Sequence, residues 1–212
     1  MTGLRCTVLS AALLILGCAS SGVPSQGIAS KAAADAYLPL SRWSIDLKGL
    51  NSRHAAALVV APHVAVTNAH NANLLPPEAI LAQSDYDLLF FRTEKLTPPS
   101  FATPSPGEAV IAYGEGASGE LREARGRVRA LEDPVMARCP GCRVQQSFAF
   151  EADGGPGFSG GPLVDAKTGV VVGIVFGYCD GEGICGAKRM FAFDMDVVRA
   201  EMHRLLDPSG QR

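Results

Sequence analysis

Short apolar and β-branched runs, each closed by a cluster of Gly, Pro or Asn, limit what this chain can fold into. They occupy residues 43–47, 56–60, 64–67, 79–82, 88–91, 109–113, 144–150, 161–164 and 170–176. Runs of this length are strands rather than helices, and their regular punctuation predicts an all-β barrel or sandwich. The chain departs from this at its end. Between residues 194 and 206 the apolar positions Val197, Val198, Met202, Leu205 and Leu206 fall at helical spacing, Asp194 is placed to cap them, and Pro208 stops them, so a C-terminal helix is expected. With 47% hydrophobic and 19% charged residues, 212 residues can bury a core, and one domain is the expectation.

The first residues have a different character. Arg5 precedes an apolar run over residues 8–16, too short to span a bilayer and suited to a signal peptide. Leu14-Ile15-Leu16-Gly17-Cys18 resembles a bacterial lipobox, which implies cleavage before Cys18 and acylation of that cysteine. Ala19 after it favours, by the same resemblance, the periplasmic side of the outer membrane. The expected division is a lipoprotein signal peptide at 1–17, a flexible tether at 18–36 spanning about 23 Å, a folded domain at 37–207 and a tail at 208–212. A net charge of −2 with no long Lys/Arg run offers no footprint for nucleic acid.

Three segments carry chemistry. Val66-Thr67-Asn68-Ala69-His70 sets a histidine at the end of an apolar strand, Tyr86-Asp87-Leu88-Leu89-Phe90 sets an acid at the head of another, and Gly157-Phe158-Ser159-Gly160-Gly161-Pro162 sets a serine in a glycine-rich turn. A serine hydroxyl attacks well only when a base takes its proton, and imidazole titrates in the range where it can take and return one. A carboxylate on the far ring nitrogen fixes the tautomer. Asp85 competes with Asp87 for that place, but Asp87 alone runs directly into an apolar strand. The serine frame also satisfies G-x-S-x-G, the nucleophile elbow of α/β-hydrolase esterases, with Asp180 and His203 as partners. Gly160, Gly161 and Pro162 are a poor start for the helix that such an elbow needs.

The order His70, Asp87, Ser159 and the frames T-x-A-H, D-L-x-x-x and G-x-S-G-G-P resemble the trypsin-like serine peptidases, in particular those of bacterial envelopes. Residues 106–110, 113–114 and 125–128 are similar to the middle of those proteins. The resemblance implies two six-stranded antiparallel β-barrels of chymotrypsin type with the C-terminal helix. It implies a serine endopeptidase that acts through an acyl-enzyme, with the amides of Gly157 and Ser159 as oxyanion hole and no cofactor or metal. Protein or peptide is the implied substrate. Asp153, six residues before the serine, would lie at the base of the primary pocket and favour Arg or Lys, and Val175-Phe176-Gly177 would be the substrate-pairing strand, Phe176 walling the pocket or belonging to the core.

Two departures from the family matter. Base and acid are 17 residues apart, closer than in digestive members, so a hairpin is expected to be trimmed, with residues 71–77 as the returning turn. Phe158 stands where zymogen-activated members carry an acid, so activation by N-terminal cleavage is not expected. Cys139, Cys142, Cys179 and Cys185 are expected to form two disulfides in an exported protein, paired 139 with 142 and 179 with 185 or across the two loops. A four-thiolate zinc site is the alternative. A monomer without an appended peptide-binding domain is expected. A binding lipoprotein that keeps the scaffold without the activity is the rival function.

Overall fold

Each strand pairs antiparallel with a neighbour. The computed structural model describes residues 21–46, 49–129, 146–181 and 187–207. Its first elements correct the expected tether. A two-residue strand β1 (Val23–Pro24) and a short helix α1 (Lys31–Ala36) lie within residues 18–36. Ser30 caps α1 through its side chain, which accepts the Ala33 amide, and Ala33 and Ala36 are fully buried. Two methyl groups set against the domain hold this segment, which no apolar stripe in the sequence announces.

The first sheet holds β2 (Tyr37–Asp46), β3 (Gly49–Ala61), β4 (Val64–Thr67), β5 (Ile80–Gln83) and β6 (Leu89–Arg92) in the order β2-β3-β4-β6-β5. It has five strands among the described residues where six were expected. The 17-residue span from His70 to Asp87 is taken up by a 3₁₀ helix over Ala69–Leu74, a second over Pro77–Ala79 and β5, which leaves no length for another strand.

The second sheet is a closed barrel. β7 (Ala109–Glu115), β8 (Leu121–Val128), β9 (Ser147–Glu151), β10 (Pro162–Asp165), β11 (Val171–Asp180) and β12 (Lys188–Asp194) run β8-β7-β10-β11-β12-β9, and β9 pairs back onto β8. β1 adds to the outer edge of β8 with Val23 opposite Glu123. The helix α2 (Met195–Leu206) follows as expected, its Asp194 cap accepting the Asp196 amide, and buries Val197 and Val198. Together the five-stranded first sheet, the closed barrel and the C-terminal helix have the chymotrypsin-type architecture.

One apolar seam joins the sheets. Leu58, Val66, Leu88 and Phe90 from the first meet Ile174, Phe176, Phe191 and Phe193 from the second. Phe176 stacks on Phe193 with centroids 4.1 Å apart, and Tyr86 meets Phe193 edge-on at 5.7 Å. Each such ring, removed from water, contributes about 2 kcal/mol.

Closure of the barrel depends on Gly126. A methyl group there would overlap the Glu151 carbonyl oxygen of the facing strand. Gly126→Ala is expected to cost about 3 kcal/mol, lowering the thermal midpoint by about 10 °C. An unchanged melting curve would mean that β8 and β9 can part at no cost.

Candidate functional site

β4 and β6 are antiparallel neighbours with Thr67 opposite Leu89, so the residue after β4 faces the residues before β6. The Asn68 side-chain amide donates to the Asp87 carbonyl at 2.9 Å, and the Ala69 amide donates to the same oxygen at 3.3 Å. This clamp presents the Asp87 carboxylate to the 3₁₀ turn carrying His70. Its Oδ1 accepts the His70 amide at 3.1 Å, and its Oδ2 lies 2.6 Å from His70 Nδ1. The carboxylate is buried, while the imidazole is half exposed. With Nδ1 engaged, Nε2 is the nitrogen left to face a reactant. Asp85 is exposed and takes no part.

Ser159 sits in the turn that leads into β10. The strand after the serine, where an esterase elbow requires a helix, excludes that alternative. The turn is pinned from both sheets. The Gly160 amide donates to the Val175 carbonyl at 2.8 Å, and the Val175 amide donates to Gly161 at 2.9 Å. From the first sheet the Ala56 amide and the Asn71 side-chain amide donate to the Ser159 carbonyl at 3.0 and 3.3 Å. Buried Thr67 completes the link, donating to the Ala56 carbonyl at 2.8 Å and accepting from Asn71 at 3.0 Å. Gly160 has φ +82°, and a methyl group there would overlap both the Ala56 carbonyl and the Thr67 hydroxyl, so only glycine fits.

His70 and Ser159 open onto one cleft of about 500 Å³. Neither the Ser159 hydroxyl nor His70 Nε2 has a hydrogen-bond partner among the described residues, and the amides of Gly157 and Ser159 donate to none of them. His70, Gly157 and Ser159 therefore line one opening. A serine hydroxyl and an imidazole on one cleft are the group types that proton transfer needs, and backbone amides are the type that receives a developing negative charge. Such contacts commonly tighten only when substrate is bound.

The other proposed pocket residues lie elsewhere. Asp153 does not line this cleft; its carboxylate is 74% exposed and pairs with Lys188 at 2.8 Å. The space beside Gly154 is filled by the thioether of fully buried Met190. Phe176 is a core ring rather than a pocket wall, Val175 is buried and holds the serine turn, and Gly177 lies beyond a bulge opposite Phe191. Cys179 lies on β11, while Cys18, Cys139, Cys142 and Cys185 are outside the described residues, and so is their pairing.

Sequence reasoning missed Glu115, His54 and Asn71, all of which line the cleft. Asn71 follows His70 directly, but no motif sets Glu115 apart. Glu115 is 4% exposed and accepts the Tyr37 hydroxyl. Burial holds its carboxyl above the ordinary range, opposed by the Tyr37 hydrogen bond and by the nearby His54. Burial likewise raises the Tyr37 phenol, reinforced by the Glu115 carboxylate.

A carboxyl raised on folding contributes stability that is complete below the ordinary carboxylate range and lost as pH rises through the folded value. Glu115→Gln keeps an acceptor for Tyr37 and removes the charge. It is expected to stabilise the protein by about 1 kcal/mol at neutral pH and by nothing near pH 4, read by urea unfolding at both. An equal effect at both pH values would sink this account.

The comparisons agree with the geometry. The family model of the trypsin-like peptidase domain matches residues 51–174, more than half of the chain. The structure is similar to the Rv3671c protease of M. tuberculosis in its active form, at 20% identity, TM-score 0.63, covering 87% of this chain and 88% of that one. It is similar to an inactive form of a serine-to-alanine mutant of Rv3671c from strain H37Rv, at 20% identity and TM-score 0.64, covering 90% and 97%. It is also similar to the HtrA-type protease AlgW with tripeptide, at 18% identity and TM-score 0.66, covering 88% of this chain and 65% of that one. At such identities the likeness carries the fold alone. No curated protein matches the sequence. By the match over its central region, the chain belongs to the trypsin-like peptidase domain family.

Proposed function

We propose that this protein is a serine endopeptidase working through a His70-Asp87-Ser159 triad. The observation that supports the reading most is the 2.6 Å contact between buried Asp87 and His70, with Nε2 and the Ser159 hydroxyl facing one cleft. As Ser159 Oγ attacks the peptide carbonyl carbon, its proton passes to His70 Nε2. Asp87 holds the Nδ1–H and stabilises the imidazolium. The carbonyl oxygen, now negative, takes the amides of Gly157 and Ser159, each worth about 3 kcal/mol at the transition state. Collapse of the adduct breaks the C–N bond, and His70 returns its proton to the leaving amine. Water then repeats the sequence on the ester and frees Ser159.

The neutralised, exposed Asp153 gives no support to a preference for Arg or Lys, and substrate choice is left to the cleft. An inactive binding protein is the disfavoured reading, since the polar groups of the site are all present. A fluorophosphonate probe should label Ser159 in the intact chain and fail on Ser159→Ala. Asp87→Asn is expected to lower kcat by about 10⁴-fold. No labelling of the intact protein would overturn the proposal.

We further propose that the protein is anchored by lipid at Cys18 in a bacterial envelope and that its four other cysteines form two disulfides. The apolar run before Cys18 and the oxidising compartment implied by export support this. Intact-mass measurement of protein from membranes should show a chain beginning at Cys18, carrying acyl chains and short of four hydrogens. The unprocessed chain, or free thiols in it, would refute it.

A further inference from the structure

The N-terminal segment bears directly on the nucleophile turn. Arg122 of β8, nearly buried, reaches across the edge of the barrel with its guanidinium. Its Nε donates to the Ser21 carbonyl at 2.7 Å and its Nη2 to the Gly22 carbonyl at 2.6 Å, while Glu120 takes Nη1 at 3.1 Å. The Ser25 amide donates to Leu121 at 3.0 Å, and its hydroxyl donates to Glu123 at 2.8 Å. Five residues before α1 are thus fixed at several points along β8.

These contacts press Gly22 onto the ring of Phe158, the residue before the nucleophile. Gly22 has φ +69°, and a methyl group there would come within 2.8 Å of Phe158 Cζ and 2.7 Å of the Glu123 carbonyl. From the other side, a methyl group on Gly114 of β7 would come within 2.8 Å of Phe158 Cγ. The ring is fully buried in this slot between two glycines. Phe158 carries on its two sides the amides of Gly157 and Ser159, and its own amide and carbonyl close the turn onto Gly155 and Gly161. Ser21 itself lines the cleft with Pro156, Gly157 and Ser159.

We infer that Ser21-Gly22, clamped by Arg122, is a positioning element of the active site, holding Phe158 so that Ser159 and its neighbouring amides keep their geometry. Arg122 and Gly22 are then positioning residues that act through Phe158 rather than on the substrate. An apolar ring gripped by the chain's own leading segment assembles the site without a newly freed amine. The inference rests on Ser159 being the nucleophile, and its experiment separates the two.

In the full-length protein, Arg122→Ala and Gly22→Ala are each expected to slow fluorophosphonate labelling of Ser159 and to lower kcat by about 10- to 100-fold, with KM held within about two-fold. Methylguanidine should restore part of the loss in Arg122→Ala and none in Gly22→Ala. Amide hydrogen exchange over residues 155–161 should rise in both variants. Arg122→Lys, which keeps the charge but not the two-carbonyl fork, should lie between and serves if Arg122→Ala does not fold. Unchanged kcat and labelling in folded variants would overturn the inference and leave the nucleophile standing. If the intact chain does not label, the nucleophile falls and exchange alone decides, increased exchange over 155–161 supporting the clamp and unchanged exchange refuting it.

Discussion

The Ser159 carbonyl accepts two hydrogen bonds from the opposite sheet, from the Ala56 amide and from Asn71. His70 and Asp87 sit on one sheet and Ser159 on the other, so this bridge, with the Tyr37–Glu115 hydrogen bond between the same sheets, sets their separation. Thr67 ties the bridge to the histidine, because one hydroxyl serves both the Ala56 carbonyl and the Asn71 amide. The apolar seam behind it supplies the bulk of the attraction, but attraction without direction can slide. The hydrogen bonds supply the register.

Glycine makes such an arrangement possible where backbones almost touch. At Gly160 the serine turn lies against the first sheet, and at Gly126 β8 lies against β9. Both are places where a single methyl group would separate elements that must meet. Buried Glu115 lines the cleft beside His54, whose ring meets Trp43 edge-on and whose two nitrogens have no hydrogen-bond partner among the described residues. The polar walls of the cleft thus combine these groups, held away from bulk water, with exposed Arg53 and Asn73.

Much of the site was legible in the chain because its parts are local. His70, Asp87 and Ser159 each carry a frame of adjacent residues that reports the strand end, the strand start or the turn. Asp153 failed for the opposite reason. Its carboxylate is claimed by Lys188, 35 residues away on β12, and no local pattern announces such a pairing. Fold reading shows the same division. Strands with unbroken apolar runs were found, whereas β8 hides its buried Ala124 and Val128 among charged residues. The helix α1 was read as linker because alanine buries well without marking a stripe. Residues 71–77 were expected to turn, and the 3₁₀ form of that turn follows from having to return the chain within a few residues.

The division of the site between two sheets has a consequence for a chain still being made. Residues 37–92 complete the sheet that carries imidazole and carboxylate, and the hydroxyl arrives only with the barrel that follows. On the proposed triad, a partly synthesised chain holds half of the site and lacks the Ser159 hydroxyl. On the same triad, folding is itself the safeguard: neighbouring unfolded chains meet the assembled site only after the barrel has closed and docked on the first sheet.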